Sequence, residues 1–389
     1  MVVLGREGLD RLVEVLMERG YRVIGPTVRD EAIVLDELTS ASQLPFGWGV
    51  EVGPGQYRLW RRADGAAFKN SAGPQSWKQF LHPAREKLWS ADRDGSGFTV
   101  TATDSEPPRY AFLGVRGCDL AAIRVLDRVL DRGEHPDSRY HRRREGIFIV
   151  GVNCTDPGET CFCVSMGTGP AVSPQPPPPC GGQGVGPTPH QPGYDLVLTE
   201  SVDQRGHHFL TEAGSERGAE VLAELPTRPA GPGEVEAAET AVARAATAMG
   251  RRMPAADLPA VLAATRESER WSEIASRCLT CANCTMVCPT CFCTTTEDVT
   301  DLTGDHAERW QHWASCFELD YSYIHGGEVR TSGASRYRQW LTHKLGTWHD
   351  QFGGSGCVGC GRCIAWCPVG IDLTAEVDAL VTEAGEEPR

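Results

Sequence analysis

Cys278-Leu-Thr-Cys281-Ala-Asn-Cys284-Thr-Met-Val-Cys288-Pro289 returns in form near the C-terminus as Cys357-Val-Gly-Cys360-Gly-Arg-Cys363-Ile-Ala-Trp-Cys367-Pro368. In each run three thiols stand three residues apart, so one compact turn can point them at a single cubane. The fourth precedes a Pro that redirects the chain. This is a pattern of iron–sulfur ligation. In two-cluster ferredoxins the fourth Cys of each run serves the other cluster, which predicts crossed sets. Cys278, Cys281, Cys284 and Cys367 would hold one 4Fe-4S cluster, and Cys357, Cys360, Cys363 and Cys288 the other. Structural zinc takes two Cys pairs separated by a longer loop, not a run of four closed by Pro and found twice. Residues three apart on a turn are poor disulfide partners, and nothing in the sequence directs the chain to an oxidising compartment.

The chain around these runs is far larger than a minimal ferredoxin. Its 389 residues can bury a substantial core and predict two or three domains. A formal net charge of -14 argues against nucleic acid or an anionic membrane surface as the main partner. Of the 16 Cys, 11 lie from Cys278 onward and five before it, which separates a cluster-rich C-terminal region from an N-terminal body. So many thiols imply a reducing compartment. The N-terminus places charges where a signal peptide needs its apolar run, and no stretch reaches the length of a membrane span. The expectation is a soluble cytoplasmic protein.

The N-terminal body reads as α/β. Residues 8–19 carry a helical period that stops at Gly20, and short β-rich pieces follow at 21–24, 32–35 and 57–60. A buried strand at 110–115, a turn at 116–119 with Asp119 as N-cap candidate, a helix at 120–130 and a strand at 146–152 make a strand-helix-strand unit. Its two strands should lie parallel in one sheet. Cys118 and Cys154 would then emerge at the same carboxyl edge, where open α/β sheets hold ligands, and Cys161-Phe-Cys163 follows within one loop. These four thiols form a candidate third 4Fe-4S site. The alternative is four buried cysteines acting as small hydrophobes. Residues 173–192 are too rich in Pro and Gly to pack as a regular element; they predict an exposed loop in which Cys180 is a bystander. Strands at 194–199 and 208–211 and an Ala-rich helix at 234–249 come next. The run 141–144, His-Arg-Arg-Arg, reads as a solvated loop.

Three units are expected: an N-terminal domain at 1–229, a helical linker at 230–264, and a ferredoxin domain at 265–389. A helix at 258–277 would deliver the chain to the first Cys run. The 68 residues between Cys288 and Cys357 contain a helical pattern at 337–352, predicting an α-helical ferredoxin domain and an α+β chain as a whole. Cys291, Cys293 and Cys316 remain. They suit core packing or cluster tuning, or a further metal, and His306, His312, His325, His343 and His349 have no tight ligand spacing with them.

Several chemistries have no motif here. The chain lacks G-x-G-x-x-G after a strand, a P-loop, and the paired Cys-x-x-Cys near each terminus that holds a nickel-iron centre. What remains is electron transfer, without a catalytic residue. Five segments carry a family likeness: Lys78-Gln-Phe-Leu-His-Pro-Ala-Arg-Glu86, Arg116-Gly-Cys-Asp-Leu120, Cys161-Phe-Cys163, Cys288-Pro-Thr-Cys-Phe-Cys293, and Arg336-Tyr-Arg-Gln-Trp-Leu-Thr-His-Lys344 leading into Cys357. Through them the chain resembles the beta subunit of cytosolic group 3 NiFe hydrogenases, the sulfhydrogenases, and the related electron-transfer subunit of anaerobic sulfite reductase. The resemblance implies a wire between a flavin- and NAD(P)-binding subunit and the small hydrogenase subunit, beyond which lies the large subunit with its NiFe site. It departs from the family in the Pro-rich insertion around Cys180. The sulfite-reductase protein shares the architecture, and an iron–sulfur redox sensor or scaffold is the alternative from another class.

Overall fold

The computed structural model describes residues 1–103, 106–132, 135–172 and 193–385. The expected Pro-rich loop with Cys180 lies outside the described residues.

An eight-stranded mixed sheet organises the N-terminal half. Its strands are Val2–Gly5 (β1), Arg22–Arg29 (β2), Ala32–Glu37 (β3), Tyr110–Val115 (β4), Phe148–Val152 (β5), Leu196–Asp203 (β6), Gly206–Ala213 (β7) and Thr227–Pro229 (β8). They lie in the order β8-β1-β7-β6-β5-β4-β2-β3. The central four, β2, β4, β5 and β6, are parallel, and hairpins β2-β3 and β6-β7 flank them. Strand β5 is buried at every position, as a central parallel strand covered on both faces must be. Phe148, Val150 and Val152 join Leu9, Leu12 and Leu16 of the helix Gly8–Glu18. Ile149 joins Leu120 and Ile123 of the helix Gly117–Leu130, so alternate residues serve opposite faces.

The expected parallel unit around the Cys118 and Cys154 edge is therefore present, with three local corrections. The helix begins at Gly117 with Arg116 at its N-cap. Asp119 sits in the first turn and accepts from the Arg116 backbone N–H at 3.3 Å. Residues 141–144 are not loop: they belong to the helix Ser138–Glu145, capped by the Asp137 carboxylate, with Arg144 Nε 3.0 Å from the buried Asp127. The expected helix at 258–277 is two, Leu258–Ala264 and Arg270–Arg277. The Thr265 carbonyl between them accepts the Trp271 indole N–H at 2.8 Å, which fixes the break.

A second, helical core packs Trp271, Ile274, Tyr337, Trp340, Leu345 and Val377 against the Cys runs. The helical pattern at 337–352 forms as Gly333–Thr342 and Trp348–Phe352, joined through the π turn His343–Thr347 that buries Lys344. The connection between the runs also contains strands that periodicity does not announce. Thr294–Thr300 and His306–Trp313 form a hairpin whose second strand pairs with Arg85–Asp94, itself paired with Gly97–Ala102. Both outer strands of this sheet are exposed, so they carry no apolar alternation to read.

Candidate iron–sulfur centres

The two Cys runs share one backbone. The residues two and four places after the first Cys are left-handed in both: Thr280 (φ 51°) and Ala282 (φ 64°), Gly359 (φ 67°) and Gly361 (φ 74°). Each turn leads into a one-turn helix, Asn283–Met286 or Arg362–Ala365, that carries the third Cys. The turn also brings a backbone N–H to the first sulfur, Thr280 N to Cys278 Sγ at 3.4 Å and Gly359 N to Cys357 Sγ at 3.5 Å.

Cys278, Cys281, Cys284 and Cys367 line one cavity, walled by Phe317, Tyr337 and Trp340. Cys367 comes from the second run, as the crossed pattern expects, and its sulfur accepts from Ile371 N at 3.3 Å. Burial pushes the Cys278 and Cys284 thiols up, whereas Cys281 is exposed.

Cys357, Cys360, Cys363 and Cys288 form a second group, close enough that the charge of Cys288 acts on each of the other three. Cys288 Sγ lies 3.3 Å from Lys344 Nζ and 3.1 Å from Thr290 Oγ1. A hydrogen bond from Cys291, then the Lys344 ammonium, hold the Cys288 thiol well below its usual range, against its burial. Burial pushes Cys357 the other way, up to about 12. All four must be thiolates to take metal, and the Lys344 ammonium favours that form at Cys288.

Cys118, Cys154, Cys161 and Cys163 line a third cavity at the carboxyl edge of β4 and β5. The helix Gly117–Leu130 offers Cys118 from its first turn, and the loop after β5 supplies the rest. Arg116 Nη1 lies 3.3 Å from Cys154 Sγ, and burial pushes Cys161 up to about 12. Cys360 and Arg362 of the second run line the same cavity, and Arg362 Nη2 pairs with the buried Asp119 at 3.0 Å. Cys363 likewise lines the first cavity. The three groups share walls.

Among the described residues, no three His, Cys, Asp or Glu side chains are placed to hold one metal ion. A cubane asks for something different. Each thiolate binds its own iron at a separate corner, so the donors ring a space instead of converging on a point. The first and third groups ring cavities in a way that fits that donor chemistry.

A 4Fe-4S dicluster domain model matches residues 277–371. Sulfhydrogenase 2 subunit beta of Pyrococcus furiosus is 30% identical over 304 residues, covering 77% of this chain and 81% of that protein. The chain belongs to the sulfhydrogenase beta-subunit family. It is an iron–sulfur electron-transfer subunit, and its dicluster domain implies two 4Fe-4S clusters. No solved structure matches it. Among the described residues no helix is long and apolar enough to cross a membrane. Within this family member, sequence reasoning locates the thiols but not the cations beside them. Arg116, Lys344 and Arg362 all stand inside the quoted segments, yet only tertiary packing brings them to sulfur.

Proposed function

We propose that this protein relays electrons between a flavin- and NAD(P)H-binding subunit and the small subunit of a cytosolic NiFe hydrogenase, through three 4Fe-4S sites in the ligand sets described above. The N-terminal domain at 1–229 would hold the third set, joined by the linker at 230–264 to the ferredoxin domain at 265–389. One observation carries the reading: the second Cys group touches both neighbours, with Cys363 in the wall of the first set's cavity and Cys360 in the wall of the third set's. A sensor needs one labile centre; a row of three with shared walls suits conduction. The hydrogenase assignment rests on the name of the relative.

A bound cluster at each site would exchange single electrons. The residues of this chain set the conditions. Lys344 on Cys288 and Arg116 on Cys154 place positive charge at sulfur, which favours the more negative, reduced state and raises the potential. Phe317, Tyr337 and Trp340 give the first cavity an apolar wall. Affinity capture of the tagged chain from its native cells should recover a flavoprotein together with the large and small subunits of a NiFe hydrogenase. In that complex, replacing both Cys118 and Cys161 by Ala should remove close to four irons per chain, the content of one cubane, and sever NAD(P)H-linked hydrogen turnover. Siroheme protein in place of the hydrogenase pair would move the chain to the sulfite-reductase reading. Unchanged iron would remove the third site.

A further inference from the structure

The tetrapeptide Thr-Cys-Phe-Cys occurs twice, at 160–163 and at 290–293. Both copies press against the second Cys group. In the first copy, Cys161 Sγ lies 3.9 Å from the Cys360 carbonyl, and Phe162 N donates to Gly359 O at 2.9 Å. In the second, Thr290 Oγ1 lies 3.1 Å from Cys288 Sγ and donates to Gly356 O at 2.7 Å. The first copy supplies two thiols to the third cavity. The second copy lines a cavity of its own.

That cavity is bounded by Cys291, Cys293, Cys316, His343 and Lys344 and closed by Trp340 and Trp348. The hairpin Thr294–Thr300 and His306–Trp313 explains how residues 23 apart meet. Thr294 pairs with Trp313, and Ala314 N donates to Cys293 O at 2.9 Å, so Cys293 and Cys316 leave the open end of the hairpin side by side. Tyr321 Oη donates to Cys293 Sγ at 3.1 Å. Trp340 walls both this cavity and that of the first set, and Lys344 of this cavity reaches Cys288 of the second, so the cavity lies between the two ferredoxin sites.

Charge gives an independent argument. Lys344 and Lys78 are buried, 6% and 2% exposed. Lys344 Nζ reaches Cys288 Sγ, Thr290 Oγ1 and Gly356 O; Lys78 Nζ donates to Cys291 O at 2.9 Å and lies 3.6 Å from the Trp313 ring centroid. Among the described residues neither ammonium has a carboxylate within ion-pair distance. Lys344 lines this cavity as well as reaching Cys288, and Lys78 holds the Cys291 carbonyl behind it, so buried positive charge favours an anionic occupant in the thiol-lined space. Iron–sulfur clusters ligated by thiolates carry net negative charge.

We propose that Cys291, Cys293 and Cys316, with the His343 imidazole on the same wall as fourth donor, hold a further iron–sulfur cluster. It branches from the row of three and rests on the hairpin sheet. The proposal goes beyond the relay reading, and its test is independent of the third site.

The full-length chain, isolated without oxygen, is compared with the double variant Cys293→Ser/Cys316→Ser for iron, acid-labile sulfide and zinc. The variant should carry about four irons and four sulfides fewer per chain, as one cubane requires, with zinc unchanged and the remaining reduced-cluster EPR signals kept. Unchanged iron, or loss of one zinc without iron, overturns the proposal. Tyr321→Phe covers the case in which the double variant fails to fold. Loss of its hydrogen bond to Cys293 should shift the midpoint potential of one cluster, and a set of potentials identical to wild type overturns the proposal equally. A Cys118→Ala/Cys161→Ala variant that keeps all its iron would refute the third site alone and leave this difference standing.

Discussion

The two Cys runs have the same backbone and different residues at its left-handed positions, and the difference records what lies beside each. The first run uses Thr280 and Ala282, where a side chain in this conformation costs roughly 1–2 kcal/mol per residue. The second uses Gly359 and Gly361. A Cβ on Gly359 would come within 2.7 Å of the Cys163 backbone, and one on Gly361 within 2.3 Å of the Thr160 carbonyl oxygen. The first Thr-Cys-Phe-Cys segment therefore lies directly on the second run. On the other side, the hairpin Trp48–Gly53 and Gln56–Arg61 closes over the end of the same run: Gly55 N donates to Ile364 O at 3.0 Å, and Trp366 Nε1 donates to Ala72 O at 2.7 Å. Glycine in the first run would relieve strain. Glycine in the second is what permits contact between the two halves of the chain.

The comparison breaks most visibly at the crossed ligand. Cys367 belongs in sequence to the second run and in space to the cavity of the first. Cys367→Ala should cost the cluster of Cys278, Cys281 and Cys284, read as about four irons and the loss of one EPR signal. Damage confined to the cluster of Cys357, Cys360 and Cys363 would show that the sets are not crossed.

A smaller effect tests the docking reading. Gly361→Ala adds a methyl where the Thr160 carbonyl already sits, in a conformation that also penalises it. Overpacking of about 1–3 kcal/mol with a left-handed penalty of about 1–2 kcal/mol predicts a loss of roughly 2–5 kcal/mol in denaturant unfolding. A loss below about 0.5 kcal/mol, the range of ordinary surface substitutions, would mean that the two halves do not press together there.

The smallest effect has the opposite sign. Ala282→Gly removes the left-handed penalty and adds about 0.5–1 kcal/mol of unfolded-chain entropy. A net gain of up to about 1.5 kcal/mol is expected, with the iron content of the first site unchanged. A clear loss of stability would show that the Ala282 methyl packs usefully and that the two runs are less alike than their dihedrals.

The eight C-terminal thiols are legible in the sequence because their information is local. Spacing of three within a run specifies one turn, and Pro289 and Pro368 mark where each turn ends. The parallel unit holding Cys118 and Cys154 is legible for a related reason, since the apolar runs at 110–115 and 146–152 flank a helical period. The start of its helix is not. Asp119 has the residue type of a cap without the position of one, and its carboxylate bonds back to Arg116 N from inside the first turn. The helix at 138–145 escapes a sequence reading because three consecutive basic residues resemble a solvated run. Their partners, Asp127 and Glu86, are distant in sequence.

By itself, then, the sequence determined the iron–sulfur chemistry of the two runs, the expectation that their fourth ligands cross and the presence of a parallel sheet edge with four thiols near it. Each of these follows from spacing or from periodicity within one segment. Tertiary structure alone decided that thiols of the second run stand in the walls of the other two cavities, that Arg362 reaches across to Asp119, and that Lys344 is turned onto Cys288 by a π turn. It also decided that a hairpin, silent in its periodicity, brings Cys293 beside Cys316. These are contacts between residues tens to hundreds of positions apart, and no local pattern encodes them. They arise because buried charge must find a partner and because two cores, one a sheet and one helical, close on the same Cys run.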